Sequence, residues 1–169
     1  MKITIRKFEK ADIPQKVSWV NDPANNTYLH YDLPLEIEKT EQWFEKTSGR
    51  TDRFDGVIEA DGVAVGLIGL LNIDQKNKKA EYYVLIGNRA FLGRGVAKEA
   101  SRQIMEYGFF KLGLNRIYLY TEVGNIPAQR LFERLGFTRE GRLAEDVLSH
   151  GSLADRYVYA IRKSDWEKD

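Results

Sequence analysis

The chain has 169 residues, of which 43% belong to the hydrophobic set and 30% are charged, so its length and composition fit one globular domain spanning residues 1–169. The 26 Lys and Arg residues nearly balance the 25 Asp and Glu residues, and the net charge of +1 gives no global field that would attract nucleic acid or an anionic membrane. With no cysteine, the sequence excludes disulfides and thiolate metal sites, and with two histidines it disfavours any other metal site.

The first part of the chain predicts one strand and two helices. Residues 3–5 alternate like a half-buried strand, and no apolar run is long enough to cross a bilayer, so we expect a cytoplasmic protein. Asp12 can cap a helix that has Pro14 in its first turn. A loop over residues 21–26 separates this helix from a second one over residues 35–46.

The middle of the chain predicts an antiparallel meander. Between residues 54 and 87, hydrophobic runs are separated by a tight turn at residues 60–62 and a longer polar turn at residues 74–79. The last strand of the meander covers residues 80–86. A turn with two glycines then leads into a helix over residues 95–112.

The last third of the chain predicts a strand over residues 116–121, a helix that Asn125 can cap, and two strands over residues 138–149 and 153–162. The order of elements is strand, two helices, three-strand meander, helix, strand, helix and hairpin. This order predicts an α/β (α+β) fold with a mixed, mostly antiparallel sheet of six to seven strands flanked by about four helices. Because it does not repeat βαβ units, it disfavours a doubly wound dinucleotide fold.

Two strand-to-helix junctions carry the functional signal, and the first is a turn rich in glycine. Free backbone N–H groups and the positive end of a helix dipole favour an anion there, and glycine lets a diphosphate approach the backbone. Lys98 stands where a dinucleotide fingerprint needs Gly or Ala, and the ending of a P-loop is absent. Taken alone, this turn supports a phosphate site and a plain tight turn equally. It reads Leu92-Gly93-Arg94-Gly95-Val96-Ala97.

The second junction follows the strand over residues 116–121 and reads Asn125-Ile126-Pro127-Ala128-Gln129-Arg130-Leu131-Phe132-Glu133-Arg134-Leu135-Gly136-Phe137. Together the two junctions resemble the GCN5-related N-acetyltransferase (GNAT) superfamily over most of the chain. The second motif of that superfamily is Asn-x-x-Ala-x-x-Leu-Tyr/Phe-Glu-x-x-Gly-Phe. Within the superfamily, the chain looks most like the ribosomal-protein alanine acetyltransferase branch, which itself resembles nucleotide-sugar amine acetyltransferases. The segments that carry this likeness are Trp19–Pro23, Ala80-Glu81, Leu114–Arg116 and Asp155–Trp166.

This resemblance implies that the sheet splays between its fourth and fifth strands and that acetyl-coenzyme A is the cosubstrate, without a metal. The pantetheine arm would bond to the backbone in the gap, and the diphosphate would rest on the amides from Leu92 to Ala97. Asn125 is either a contact of the pantetheine arm or only a helix cap. The remaining cofactor residues that the resemblance implies are Val84, Leu85, Ile86, Ala128 and Arg130.

Transfer of an acetyl group from a thioester to an amine needs a neutral amine, a held carbonyl and a proton for the leaving thiolate. We nominate Glu81 and Glu122 as bases, although each, taken alone, fits a solvated strand residue slightly better. The resemblance implies that a backbone N–H near Val84 or Leu85 stabilises the oxyanion. Phe132 replaces the Tyr that many members use as an acid, so the enzyme would act mainly by positioning its reactants.

The acceptor is expected to be a primary amine. An α-amino group has a reference pKa of about 7.7–8.0, against about 10.4 for lysine, so the lack of an obvious strong base favours amines of low pKa, of which a protein amino terminus is one. Nucleotide amino sugars, polyamines and other small amines stay open, as do a non-catalytic acyl-coenzyme A sensor and a nucleotide-binding protein of another fold. An exposed sheet edge could also pair with a second copy, which leaves a homodimer open. The expected acceptor residues are Trp19, Asn21, His30 and Tyr31.

Overall fold

A computed structural model describes residues 1–166, and in this part of the chain a seven-stranded sheet has the order β1-β2-β3-β4-β5-β7-β6. Neighbouring strands are antiparallel except β4 and β5, which are parallel. The predicted mixed, mostly antiparallel sheet is therefore confirmed. The strands are β1 (Ile3–Lys7), β2 (Phe54–Ala60), β3 (Val63–Asp74), β4 (Lys79–Ile86), β5 (Arg116–Glu122), β6 (Thr138–Ser149) and β7 (Ser152–Arg162).

Helices cover both faces of the sheet. One face of the sheet, which we call the α3 face, packs through the larger core cluster against the helices α3 (Val96–Glu106) and α4 (Ile126–Arg134). The opposite face, which we call the α1 face, packs through the smaller cluster against the helices α1 (Ile13–Asn21) and α2 (Ile37–Thr47). None of the helices within residues 1–166 is long and apolar enough to cross a membrane. The helices are α1 (Ile13–Asn21), α2 (Ile37–Thr47), α3 (Val96–Glu106), α4 (Ile126–Arg134) and the short α5 (Lys163–Trp166).

Two helix details differ from the sequence-based expectation. The helix predicted over residues 95–112 is α-helical only to Glu106 and continues as a π-helical turn over Tyr107–Lys111. Asp12 precedes α1, but its side chain does not cap that helix. Its carboxylate accepts two hydrogen bonds of 2.8 Å from the Arg6 guanidinium and one of 2.8 Å from the Glu9 amide, because the charged partner binds it more strongly.

The sheet splays between β4 and β5, as expected. These strands pair over only three residues each, Lys79–Glu81 with Arg116–Tyr118, and part beyond them. The backbone of β4 past Glu81 is still paired with β3 on its other side. Its splay side therefore has no strand partner, which leaves backbone hydrogen-bonding groups available to a ligand.

Candidate active site

A cavity of about 1090 Å³ passes through the splay. Its walls come from β4, β5, the amino-terminal ends of α3 and α4, and the loop between α1 and α2. Because side chains alternate along a strand, Glu81 and Glu122 project to the α1 face, opposite the buried Ala80 and Leu119 of the α3 face. The cavity thus joins a helix amino terminus to a pair of carboxylates.

The first glycine-rich junction forms the turn into α3. Gly93 and Gly95 have φ angles of +71° and +78°, a region that glycine adopts without strain, and Gly95 is the N-cap of α3. A Cβ atom built on either glycine would meet no atom within 4 Å, so the space beside the backbone is open. The cavity wall there includes Leu92, Gly93, Gly95, Val96 and Ala97. Arg94 is absent from this wall, and its guanidinium lies 4.9 Å from the Phe91 ring.

We expect Gly95→Ala to weaken coenzyme A binding about tenfold, because its Cβ would stand where the backbone must approach a diphosphate. Gly62→Ala is the matched control, since Gly62 has a φ angle of +82° and equally open surroundings but lies in the β2–β3 turn. Both variants should lose a similar amount of stability from backbone strain. Calorimetric titration with coenzyme A measures the affinity, and equal affinities of the two variants would place the diphosphate elsewhere.

The second junction forms the turn into α4. The Asn125 side chain accepts a hydrogen bond of 3.3 Å from the Ala128 amide, so the helix cap is present, and both residues line the cavity. Arg130 is exposed and is not part of the cavity wall. It lies two residues from both Ala128 and Phe132, which places it on the opposite side of the helix from them. Arg134 lines the cavity instead.

We call the part of the cavity on the α1 face the acceptor wing. His30 and Tyr31 line it, as expected, but Trp19 and Asn21 are not part of the wall. Trp19 is buried against Gly87, where a Cβ would lie 2.2 Å from the indole ring. The Asn21 side chain bonds to the backbone N and O of Leu35, so it holds the loop instead of facing a ligand. The acceptor wing is lined by Lys16, His30, Asp55, Glu81, Tyr83 and Glu122.

Glu122 lies at the carboxyl end of β5 and is only 8% exposed. Its Oε2 atom lies 2.7 Å from His30 Nε2 and accepts a hydrogen bond of 2.8 Å from Ser149 Oγ. An ionised carboxylate can only accept hydrogen bonds, so His30 donates through Nε2, and within residues 1–166 its Nδ1 atom has no hydrogen-bond partner and can accept a proton. Glu122 is therefore a buried, partnered carboxylate and not a solvated strand residue.

The loop that carries His30 is fixed next to β5 by hydrogen bonds of the residues that precede His30. Tyr28 donates its hydroxyl hydrogen to the Gly124 carbonyl at 2.9 Å, and His150 Nε2 lies 3.0 Å from the Asn26 carbonyl. Asn25 donates to the carbonyl oxygens of Trp19 and Gly87. These contacts hold His30 against Glu122.

Glu81 is the second carboxylate of the acceptor wing and is half-buried. Burial raises its pKa, and the positive charge of Arg156 together with a 3.5 Å hydrogen bond from Asn72 opposes this shift. A carboxyl group with a raised pKa is a better proton acceptor than a solvated one. Both nominated bases thus face the same part of the cavity.

Phe132 brings no hydroxyl group to the cavity wall, although the neighbouring Tyr82 also lines the cavity. The Phe132 ring packs against Tyr82, Phe137 and Tyr159. The Tyr82 hydroxyl is hydrogen-bonded to Ser101 in the core, and burial raises its pKa. Neither side chain is placed to give a proton to the cavity.

Sequence reasoning missed a group of residues at the far end of the acceptor wing, next to α1 and α2. Lys16 is 7% exposed, and its ammonium lies 3.5 Å from the centre of the Trp43 ring. Arg53 and Asp55 form a bidentate pair with distances of 2.7 and 2.9 Å. Lys16 stands three residues after the buried Ile13 and four before the buried Val20, so its position on the apolar stripe of α1 was a readable signal.

A helix amino terminus on one side of a splayed sheet, with two carboxylates on the other side, is an arrangement suited to an acyl-coenzyme A-dependent transferase. The family model described as the acetyltransferase (GNAT) domain matches residues 2–138, and the chain belongs to this family of acetyl-coenzyme A-dependent N-acetyltransferases. The resemblance found in the sequence is therefore confirmed.

Three proteins of known or assigned activity are similar to this chain. The spermidine N(1)-acetyltransferase of Escherichia coli is 28% identical over 95% of this chain and 83% of its own. YdaF of Bacillus subtilis, a candidate ribosomal N-acetyltransferase, is 36% identical over 63% of this chain and 58% of its own. The crystal structure of the Vibrio cholerae spermidine N-acetyltransferase with coenzyme A and spermine has a TM-score of 0.90 and 27% identity, with 98% of each chain covered.

Proposed function

We propose that this N-acetyltransferase acts on the primary amine of a small molecule and not on a protein amino terminus. The observation that carries the proposal is the acceptor wing, in which a fixed loop places His30 against Glu122 while Glu81 faces the same cavity. The relatives named for spermidine match nearly the whole chain, whereas the match to YdaF covers 63% of it. Polyamines are therefore the first acceptors to assay, in place of the protein terminus that the sequence favoured.

Acetyl-coenzyme A would lie across the splay on the α3 side. Its pantetheine arm would bond to the unpaired backbone edge of β4 over Val84–Ile86, and its diphosphate would rest on the amides of residues 92–97. Arg89, Lys98 and Arg134 line the cavity and supply positive charge for phosphates. Asn125 would cap α4 and contact the pantetheine arm.

His30 and Glu122 would accept the proton that the amine loses. In this step the amine nitrogen bonds to the acetyl carbonyl carbon, the C–S bond breaks, and coenzyme A leaves as a thiolate. The proton passes from nitrogen to His30 Nδ1, and Glu122 stabilises the resulting imidazolium through the 2.7 Å hydrogen bond. The imidazolium can then return this proton to the thiolate or to water, which explains how the site works with Phe132 in place of a phenol.

A panel assay tests this function. Free thiol released from acetyl-coenzyme A is measured with polyamines, monoamines, amino sugars, ω-amino acids and peptides with a free amino-terminal alanine. We expect turnover with small molecules and none with peptides, because the loop that carries His30 is tied to Gly124 and Glu122 at this part of the cavity. Turnover confined to peptides would contradict the proposal. Thermal stabilisation by coenzyme A without turnover on any amine would favour a non-catalytic acyl-coenzyme A sensor.

A further inference from the structure

Lys16 is a buried cation that has no anionic partner in the described part of the chain. Its ammonium faces three aromatic rings, at 3.5 Å from the centre of Trp43, 5.6 Å from Tyr31 and 5.7 Å from Phe8. Within residues 1–166 it makes no hydrogen bond or ion pair, although it is only 7% exposed. Cation–π contacts stabilise such a charge only in part, so an anion brought to it would gain a strong interaction.

The neighbouring charges do not supply that anion. Asp55 is the carboxylate whose negative charge acts on Lys16. Both of its oxygens, however, are bonded to Arg53, and Oδ1 also accepts a hydrogen bond of 2.6 Å from the Tyr83 hydroxyl. Arg53 and Asp55 therefore act as a neutral pair. Among residues 1–166, Lys16 is the buried positive charge at the far end of the acceptor wing that has no carboxylate partner, whereas Lys39 also lines the cavity but is exposed and lies 3.8 Å from Glu36.

The acceptor wing is polarised as a result. The carboxylates of Glu81 and Glu122 lie beside the splay, where Arg156 is already paired with Asp146, and the ammonium of Lys16 lies at the other end. Glu81 and Tyr83 project to the same face two residues apart, which is roughly 7 Å along the strand, and Tyr83 reaches the Asp55 that adjoins Lys16. A short chain with an amine at one end and an anion at the other matches this arrangement.

We propose that Lys16 forms a binding site for an anionic group, a carboxylate or a phosphate, at the far end of the acceptor. This proposal rests on the proposed function and narrows it to amines that carry a negative charge. A diamine or polyamine would place a second ammonium beside Lys16, where like charges repel. The chain would then differ from its spermidine-acetylating relatives in the charge of the acceptor that it prefers.

The test compares acceptors of equal length that differ at the far end. They are 5-aminopentanoate, 5-aminopentyl phosphate, 5-aminopentan-1-ol and cadaverine, and kcat/KM is measured for each. We expect an anionic acceptor to exceed cadaverine by about tenfold or more. The better of the carboxylate and the phosphate identifies the anion. Cadaverine equal to or better than both anionic acceptors would overturn the proposal and favour a polyamine.

Lys16→Met should remove this preference, and Lys16→Gln is the second variant in case the first misfolds. Lys39→Met is the matched control, because Lys39 also lines the cavity but its side chain is 74% exposed and near Glu36. The ratio of kcat/KM for the anionic acceptor to that for cadaverine should fall about tenfold in the Lys16 variants and stay unchanged in Lys39→Met. A ratio in the Lys16 variants that equals the wild-type ratio would overturn the proposal.

A binding measurement separates this proposal from the proposed function. Calorimetric titration of 5-aminopentanoate and 5-aminopentyl phosphate into the complex with coenzyme A needs no turnover. If no amine is acetylated, the proposed function fails, but binding that weakens about tenfold in Lys16→Met would still support the anion site. Equal binding of both ligands by the wild type and the variant, or none by either, would refute it.

Discussion

Replacing His30 by Gln is expected to lower kcat about 100-fold, because proton transfer by a positioned side chain contributes roughly 10²–10⁴-fold to catalysis. Gln can still donate a hydrogen bond to Glu122 but cannot accept the proton of the amine. The affinity for coenzyme A should not change, since His30 lies in the acceptor wing. Steady-state kinetics with a saturating small amine measure the effect.

The chain provides its own control for this variant. His150 is the only other histidine, and it bonds to the Asn26 carbonyl without lining the cavity. Because the Gln amide can still donate a hydrogen bond to the Asn26 carbonyl, His150→Gln should keep kcat within about twofold of the wild type. With two histidines, the imidazole resonances can be assigned by NMR from the two variants. Glu122→Gln should shift the signals of His30 and leave those of His150 in place. A His30→Gln variant with wild-type kcat would refute the proposed base.

Replacing Lys16 by Met is expected to stabilise the protein by roughly 2 kcal/mol at pH 7. Burial lowers the pKa of Lys16 to about 8, an effect that the charge of Asp55 opposes and that of Arg53 reinforces. A shift from 10.5 to about 8 corresponds to roughly 3 kcal/mol spent on keeping the buried ammonium charged. Met fills a similar volume without this cost but loses the cation–π contacts, which reduces the net gain.

The gain in stability from Lys16→Met should become smaller as the pH rises. The folded state holds the Lys16 proton less tightly than the unfolded chain does. The free-energy cost of burying the charged ammonium is therefore fully present below pH 8. It decreases as the pH rises from about 8 to 10.5, where the unfolded chain also loses the proton. Urea unfolding at pH 7 and pH 10 measures both values, with Lys39→Met as the exposed control. A gain that is equal at both pH values, or a loss at pH 7, would contradict this account.

Local patterns predicted the elements of this fold well. The alternation in β1, the Asn125 cap and the two glycines before α3 each depend on a few neighbouring residues, and the structure contains all of them. The splay could not be predicted from local patterns, because no periodicity in β4 or β5 indicates where two strands part. It was expected only from the family resemblance.

The acceptor wing was harder to predict because its contacts are distant in sequence. His30 and Glu122 are 92 residues apart, and nothing in the loop around His30 indicates that it lies against β5. Trp19 and Asn21 are residue types that often bind ligands, but here their side chains contact the protein itself. Trp19 packs against Gly87, and Asn21 is hydrogen-bonded to the backbone of Leu35. Lys16 was readable as a charge on an apolar stripe, yet its aromatic partners come from three separate segments.

The most direct test is a crystal structure with coenzyme A and the acetylated product of the best acceptor. Our account predicts the diphosphate on the amides of residues 92–97, the pantetheine arm along β4 in the splay, and the acetamide beside His30 and Glu122. It also predicts the far end of the product at Lys16. A diphosphate bound away from the turn into α3, or a product outside the acceptor wing, would contradict it.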